Sequence, residues 1–183
     1  MSRIGKLPVT VPSGVKAAVT GNVVSVEGPR GRLSCTLGRG VSASLKDGQL
    51  HFAVDVKESD KAYKQVNANW GTARAVTANM IKGVTAGWKR SLEMNGVGFT
   101  ANLKGDTLVV AAGYSHEVKV KVPAGLKVTV TKNVIDLESS DRNQLGVMAS
   151  KLRSIRKPEP YLGKGIKYSE ETIRRKAGKA GKK

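Results

Sequence analysis

At 183 residues the chain is long enough for one or two domains, and its 39% hydrophobic content with only 4% aromatics makes any core an aliphatic one. Lys and Arg number 32 against 14 Asp and Glu, so the chain carries +18 and calls for a polyanion, either a nucleic acid or an acidic membrane surface. There is no apolar run of about 18 residues to span a bilayer, no secretory pattern in the opening MSRIGKLPVTVP, and a single cysteine, Cys35, which excludes an intrachain disulfide and fits a reducing cytoplasm.

In chain order, period-2 alternation punctuated by Gly and Pro predicts strands over about 15–20, 22–27, 32–37, 41–46 and 49–54. Thr20-Gly21-Asn22 and Lys46-Asp47-Gly48 supply hairpin turns. A helix follows over Asp60–Lys82, with Asp60 as N-cap, Gly83 as stop, and an apolar stripe of Tyr63, Val66, Trp70, Ala73 and Met80. Strands resume over about 88–94, 97–103, 107–111, 117–122, 126–131 and 134–138, with Lys104-Gly105-Asp106 as one turn. A second helix runs over Asp141–Arg156. Asp141 and Gln144 have capping-box spacing, Leu145, Met148, Leu152 and Ile155 form the stripe, and Pro158 ends the helix. EETIRRK, opened by Glu170 and Glu171, reads as a short basic helix with favourable charge at its start. The closing KAGKAGKK is polar and low in complexity.

The same pattern occurs twice. With a shift of 85 residues, Gly28 falls on Gly113 and Gly40 on Gly125; Leu33, Cys35 and Leu37 fall on Val118, Val120 and Val122; Val41, Ala43 and Leu45 fall on Leu126, Val128 and Val130. Strands followed by one helix, repeated, make an α+β fold of two tandem duplicated domains, each an antiparallel sheet packed against one helix, plus a basic C-terminal tail. The expected division is residues 1–82, 83–168 and 169–183.

Machinery for catalysis is missing from the pattern, and the expectation is a non-enzyme without cofactor, metal or small-molecule substrate. His51 and His116 fall one in each half, as a strand residue and a hydrogen-bonded turn residue. No Cys/His metal spacing, P-loop or close pair of carboxylates occurs. The cations instead concentrate at one end: residues 151–183 hold 12 Lys or Arg and 3 Glu, a net +9. The candidate RNA-binding residues are Arg153, Arg156, Lys157, Tyr161, Gly163, Lys164, Gly165, Lys167, Arg174, Arg175, Lys176 and Lys179. Arg and Lys neutralise phosphates, Gly163 and Gly165 flank Lys164 so that backbone N–H groups can approach a phosphate, and Tyr161 stacks on a base, donates its hydroxyl to a phosphate, or packs its ring on the second helix. With so few aromatics, phosphate and 2′-hydroxyl contacts to a folded RNA fit better than single-strand stacking as the main mode.

MSRIGKLPVTVPSGV, GVGFTANLKGDTLVV, GYSHEV and above all RKPEPYLGKGIKYSEETIRRKAGK closely resemble the family of the sixth protein of the bacterial large ribosomal subunit, from Met1 to about Lys179. PEPYLGKGI, residues 158–166, is the most specific part; Leu162 stands where that family usually has Lys, which weakens a phosphate contact there. The resemblance implies a structural, ribosome-associated cytoplasmic protein that supports translation. It implies binding to 23S ribosomal RNA, mainly through the second domain and tail, at the base of the lateral stalk, near the sarcin–ricin loop and the elongation-factor region, beside neighbouring large-subunit proteins and away from membranes. A DNA-compacting architectural protein is the alternative that charge alone leaves open.

Overall fold

The computed structural model describes residues 2–56 and 62–178. Asp60 and Lys179 lie outside the described residues. The chain divides into two compact units: one runs to Gly87 and includes Ser140–Arg142, the other takes Trp88–Ser139 and continues from Asn143.

In the first unit β1 (Val9–Thr10), β2 (Lys16–Thr20), β3 (Val23–Gly28), β4 (Gly31–Thr36), β5 (Val41–Lys46) and β6 (Gln49–Val54) precede the helix α1 (Tyr63–Thr85). Their alternation segregates the faces, with Val24 and Val26 of β3 fully buried while Glu27 faces solvent. The strands form two antiparallel sheets, ordered β2-β3-β4 and β1-β6-β5. α1 covers both: Val66, Trp70, Ala73, Met80, Ile81 and Val84 join Val24, Val26, Leu37, Val41, Leu50 and Phe52 in one core. The Trp70 indole N–H donates to the Phe52 carbonyl at 2.9 Å, so its polar atom is satisfied inside the core.

α1 continues past Gly83, the expected stop, and the expected domain boundary near Gly83 therefore lies inside the helix. Val84, fully buried against Gly28, draws the helix onward; a Cβ on Gly28 would lie 2.9 Å from Val84. The chain turns at Gly87, whose N–H donates to the Lys82 carbonyl at 3.2 Å with φ +78°.

The second unit repeats the plan with β7 (Trp88–Asn95), β8 (Thr100–Lys104), β9 (Thr107–Ala111), β10 (Val118–Lys121), β11 (Leu126–Thr131), β12 (Val134–Ser139) and the helix α2 (Arg142–Ile155). Its sheets are ordered β8-β9-β10 and β11-β12-β7-β13, where β13 is Gly165–Tyr168. The duplication is visible in register as well as in order. Val41 faces Val54 and Lys46 faces Gln49; Leu126 faces Ser139 and Thr131 faces Val134, each displaced by 85 residues. Gly40 and Gly125, at φ +75° and +83°, both take the left-handed conformation immediately before the equivalent strands, where a side chain would be strained. Leu145, Met148, Ala149 and Leu152 of α2 close a core with Leu92, Met94, Leu108, Val110, Ile135, Leu137 and Ile166. Gln144 ties the start of α2 to the sheet by donating to the Ala124 carbonyl at 3.0 Å.

The alternation did not predict β1 and β13. Among the described residues β13 has no counterpart in the first unit. It adds to the free edge of β7, pairing Gly165 with Asn95 and Tyr168 with Leu92, and buries Ile166 completely.

Candidate nucleic-acid interface

After Ile155 the chain makes a closed loop. The Ile166 N–H donates to the Arg156 carbonyl at 2.8 Å, Glu159 N–H to Lys164 O at 2.8 Å, and Gly163 N–H to Glu159 O at 3.1 Å. Gly165, at φ +141°, lets the two arms of the loop pass: a Cβ there would stand 2.6 Å from Pro158 Cα and 2.7 Å from Lys157 O. Gly163 gives its N–H within the loop, and both glycines are buried where the loop closes. Tyr161, Leu162 and Lys164 are left exposed on the loop; Tyr161 is 52% exposed, which counts against packing its ring on α2.

Residues beyond β13 fold back on the same unit. The expected helix over EETIRRK does not form; residues 171–178 have no regular secondary structure. Long-range partners outweigh local propensity here. Glu170 pairs with Arg90 at 2.9 Å and Glu171 with Arg153 at 2.5 Å, while the Lys176 N–H donates to the Pro160 carbonyl at 2.9 Å. The Arg90 guanidinium also sits over the Tyr168 ring, 4.4 Å from its centroid. The Arg153–Glu171 pair is bidentate, with Nε to Oε2 at 2.8 Å. The hydrogen bond from Arg153 holds the Glu171 carboxyl below its ordinary value, helped by the Tyr168 N–H and Lys167 and opposed by partial burial. The same bond raises Arg153. Lys167 pairs with Glu93 at 2.8 Å. Two expected phosphate ligands, Arg153 and Lys167, are thus committed to carboxylates inside the unit.

The other expected cations among the described residues are free of such partners. Arg156, Lys157, Lys164, Arg174, Arg175 and Lys176 are exposed, and among the described residues none pairs with a carboxylate. The Arg175 guanidinium lies against Gly163, where a Cβ would be 3.2 Å from its Nη2, and Lys176 is held at Pro160, so both stand over the loop that carries Lys164. A cavity of about 270 Å³ opens between Asn95, Gly163, Lys167, Glu171 and Arg175. Glu171 on its wall makes the cavity itself a poor anion seat, so an anion would meet the cations on the outer surface.

Two further loops reach this end of the unit. β7 delivers Asn95 opposite Gly165, and Phe99 packs beneath both Gly96 and Gly113, joining the β7–β8 and β9–β10 loops. From the β9–β10 loop, the Tyr114 hydroxyl donates to the Ile155 carbonyl at 2.8 Å, satisfying an acceptor that the helix end leaves open. The Arg156 guanidinium lies over the Tyr114 ring, 5.3 Å from its centroid, and His116 forms a near-parallel ring pair with Tyr114. Sequence reasoning treated His116 as a hydrogen-bonded turn residue; its side chain makes no hydrogen bond among the described residues. Arg90, Tyr114 and His116 were missed as members of this region, because only tertiary pairing over 41 to 80 positions brings them here.

No group of His, Cys, Asp and Glu capable of holding a metal occurs among the described residues. Burial raises the Cys35 thiol, away from the thiolate a reactive cysteine needs. No helix is long and apolar enough to cross a membrane among the described residues.

The family model described as Ribosomal protein L6 matches the chain twice, over residues 11–87 and 95–169. The chain belongs to the ribosomal protein L6 family. The two L6 matches fall on the two structural units, the first ending at the residue where the first unit's main segment ends. Among curated relatives, the L6-family chain is 47% identical over 186 residues to "Large ribosomal subunit protein uL6" of Aliarcobacter butzleri, covering 100% of both. It is 46% identical over 184 residues to the protein of that name from Geobacter sulfurreducens and 45% over 185 residues to that from Helicobacter hepaticus, again covering 100% of both. L6 proteins are structural proteins of the ribosome, not enzymes.

Proposed function

We propose that this chain is a structural component of the large ribosomal subunit, cytoplasmic and ribosome-associated, that binds 23S ribosomal RNA through the C-terminal end of its second unit and so supports translation. One observation carries the binding site: six exposed cations without carboxylate partners sit on a segment that a strand and the ion pairs of Glu170, Glu171 and Glu93 hold against the domain. A cation cluster fixed in this way presents phosphate ligands with little ordering cost on binding. Arg156, Lys157, Lys164, Arg174, Arg175, Lys176 and, further along the sequence, Lys179 are the proposed phosphate contacts, with Tyr161 at the exposed loop. Such contacts set the position of a protein on RNA rather than reading its sequence. The relatives' printed name supports the subunit, and the family resemblance of PEPYLGKGI and RRKAGK supports a place at the stalk base near the sarcin–ricin loop and elongation factors, next to other large-subunit proteins.

The test is sedimentation with competition. A tagged chain in cell extract should travel with the large subunit and be released by high salt. Purified chain at about 0.2 M salt, where non-specific binding fades, should prefer 23S ribosomal RNA to duplex DNA of equal length. Equal affinity for the two would favour the DNA-compacting alternative and overturn the proposal.

A further inference from the structure

Outside the cation cluster, the second unit offers an arrangement that phosphate binding does not explain. Tyr114 and His116 face each other with ring centroids 6.1 Å apart and planes 24° from parallel. Both are exposed, in a protein whose aromatics are otherwise scarce. That separation is an offset, near-parallel pair, so the two exposed rings make one platform on which a base can stack. A cation stands beside this pair, since Arg156 lies over the Tyr114 ring.

The pair is also held in place. The Tyr114 hydroxyl is bonded to Ile155, and Gly113 packs on Phe99, so the loop is fastened to both α2 and the core. That bond accounts for the hydroxyl alone. It leaves both rings exposed to solvent, and His116 has no hydrogen bond to explain its position. Stacking on Tyr, His and Arg planes is how proteins hold bases that RNA has splayed out of its helices. The adjacent Arg156 and Lys157 supply the phosphate contacts that such a nucleotide brings with it. Glu117, also exposed on the loop, opposes general anion binding there and makes the site suit a base better than a bare phosphate.

We infer that Tyr114 and His116, with Arg156, form a stacking site for one unpaired nucleotide of the bound RNA, next to the phosphate-binding segment. This rests on the proposed RNA-binding function and adds a contact of a different chemical kind. It also gives the interface a means of recognising a looped-out or bulged position, which cations alone lack.

The experiment uses the full chain and 23S ribosomal RNA transcript, with binding measured across a salt series. The double variant Tyr114→Ala/His116→Ala should bind roughly 10-fold or more weaker, the usual cost of losing a base–aromatic stack. Its slope of log affinity against log salt should match wild type, because no cation has been removed. His116→Phe should keep wild-type affinity, since a ring still faces Tyr114. Unchanged thermal melting of the variants shows that the loss is not one of folding. Binding by the double variant within about twofold of wild type, or a loss that His116→Phe shares, overturns the stacking site while leaving the RNA-binding proposal standing. Failure of the wild-type chain to bind the RNA overturns both.

Discussion

Ile166→Ala is the perturbation that asks whether the C-terminal segment is part of the folded second unit. Ile166 sits in the four-residue β13, opposite Met94, and its side chain is fully buried among Leu92, Met94 and the α2 residues of the core. Alanine removes about three carbons' worth of buried apolar surface, ~2.4 kcal/mol at ~0.8 kcal/mol each. A cavity term adds to this, moderated because β13 is an edge strand and can settle inward, so the expected cost is about 3 kcal/mol. For a unit of this size that lowers the melting temperature by roughly 12 to 24 °C without abolishing the fold. Urea and thermal unfolding measure the loss. Hydrogen exchange locates it: amides of β7 should lose protection, and those of β5 and β6 in the first unit should not. A stability change below about 1 kcal/mol, or β7 exchange equal to wild type, would mean that residues 165–168 do not pack as described.

Gly165→Ala should be disruptive for a different reason, since its Cβ would overlap the backbone of Lys157 and Pro158. We expect destabilisation of about 2 kcal/mol or more, and weaker RNA binding through displacement of Lys164; a variant that melts and binds like wild type contradicts the closed loop. The Arg153–Glu171 pair predicts a pH dependence. Because Glu171 is held below its ordinary value of 4.5, its stabilising contribution is present above that pH and lost as pH falls through the lowered value. Wild type should therefore lead Glu171→Gln in melting temperature at about pH 7, and the lead should shrink towards about pH 3; a gap constant with pH would deny the pair a role.

Much of this architecture is legible in the residues. The alternation of β5 and of β11 marks those strands at the bounds they adopt, and the shift of 85 residues that aligns their glycines also aligns their register. Local signals fail where a partner far along the chain decides. Gly83 resembles a helix stop, yet burial of Val84 carries α1 beyond it. EETIRRK has helical composition, yet Glu170 and Glu171 are taken by Arg90 and Arg153 and the segment stays irregular. The charge excess correctly indicates where cations concentrate, but it does not distinguish Arg153 and Lys167, which are paired, from Lys164 and Arg175, which are not. β13 has consequences for mutagenesis: a cut before Pro158 removes Ile166 from the core, so a truncation meant to probe RNA binding should retain everything through Ile173.

The salt dependence of RNA binding addresses the interface most directly. The chain with Lys164, Arg174, Arg175 and Lys176 all changed to Gln keeps Glu170, Glu171 and Ile166 in place, and so keeps the segment folded. If these cations meet phosphates, its log affinity for 23S ribosomal RNA should fall less steeply with log salt than that of wild type, by about 0.7 to 0.9 per lost contact and so by roughly 3 in all. Affinity at about 0.1 M salt should drop by more than 100-fold. An unchanged slope with unchanged affinity would show that the RNA is held elsewhere.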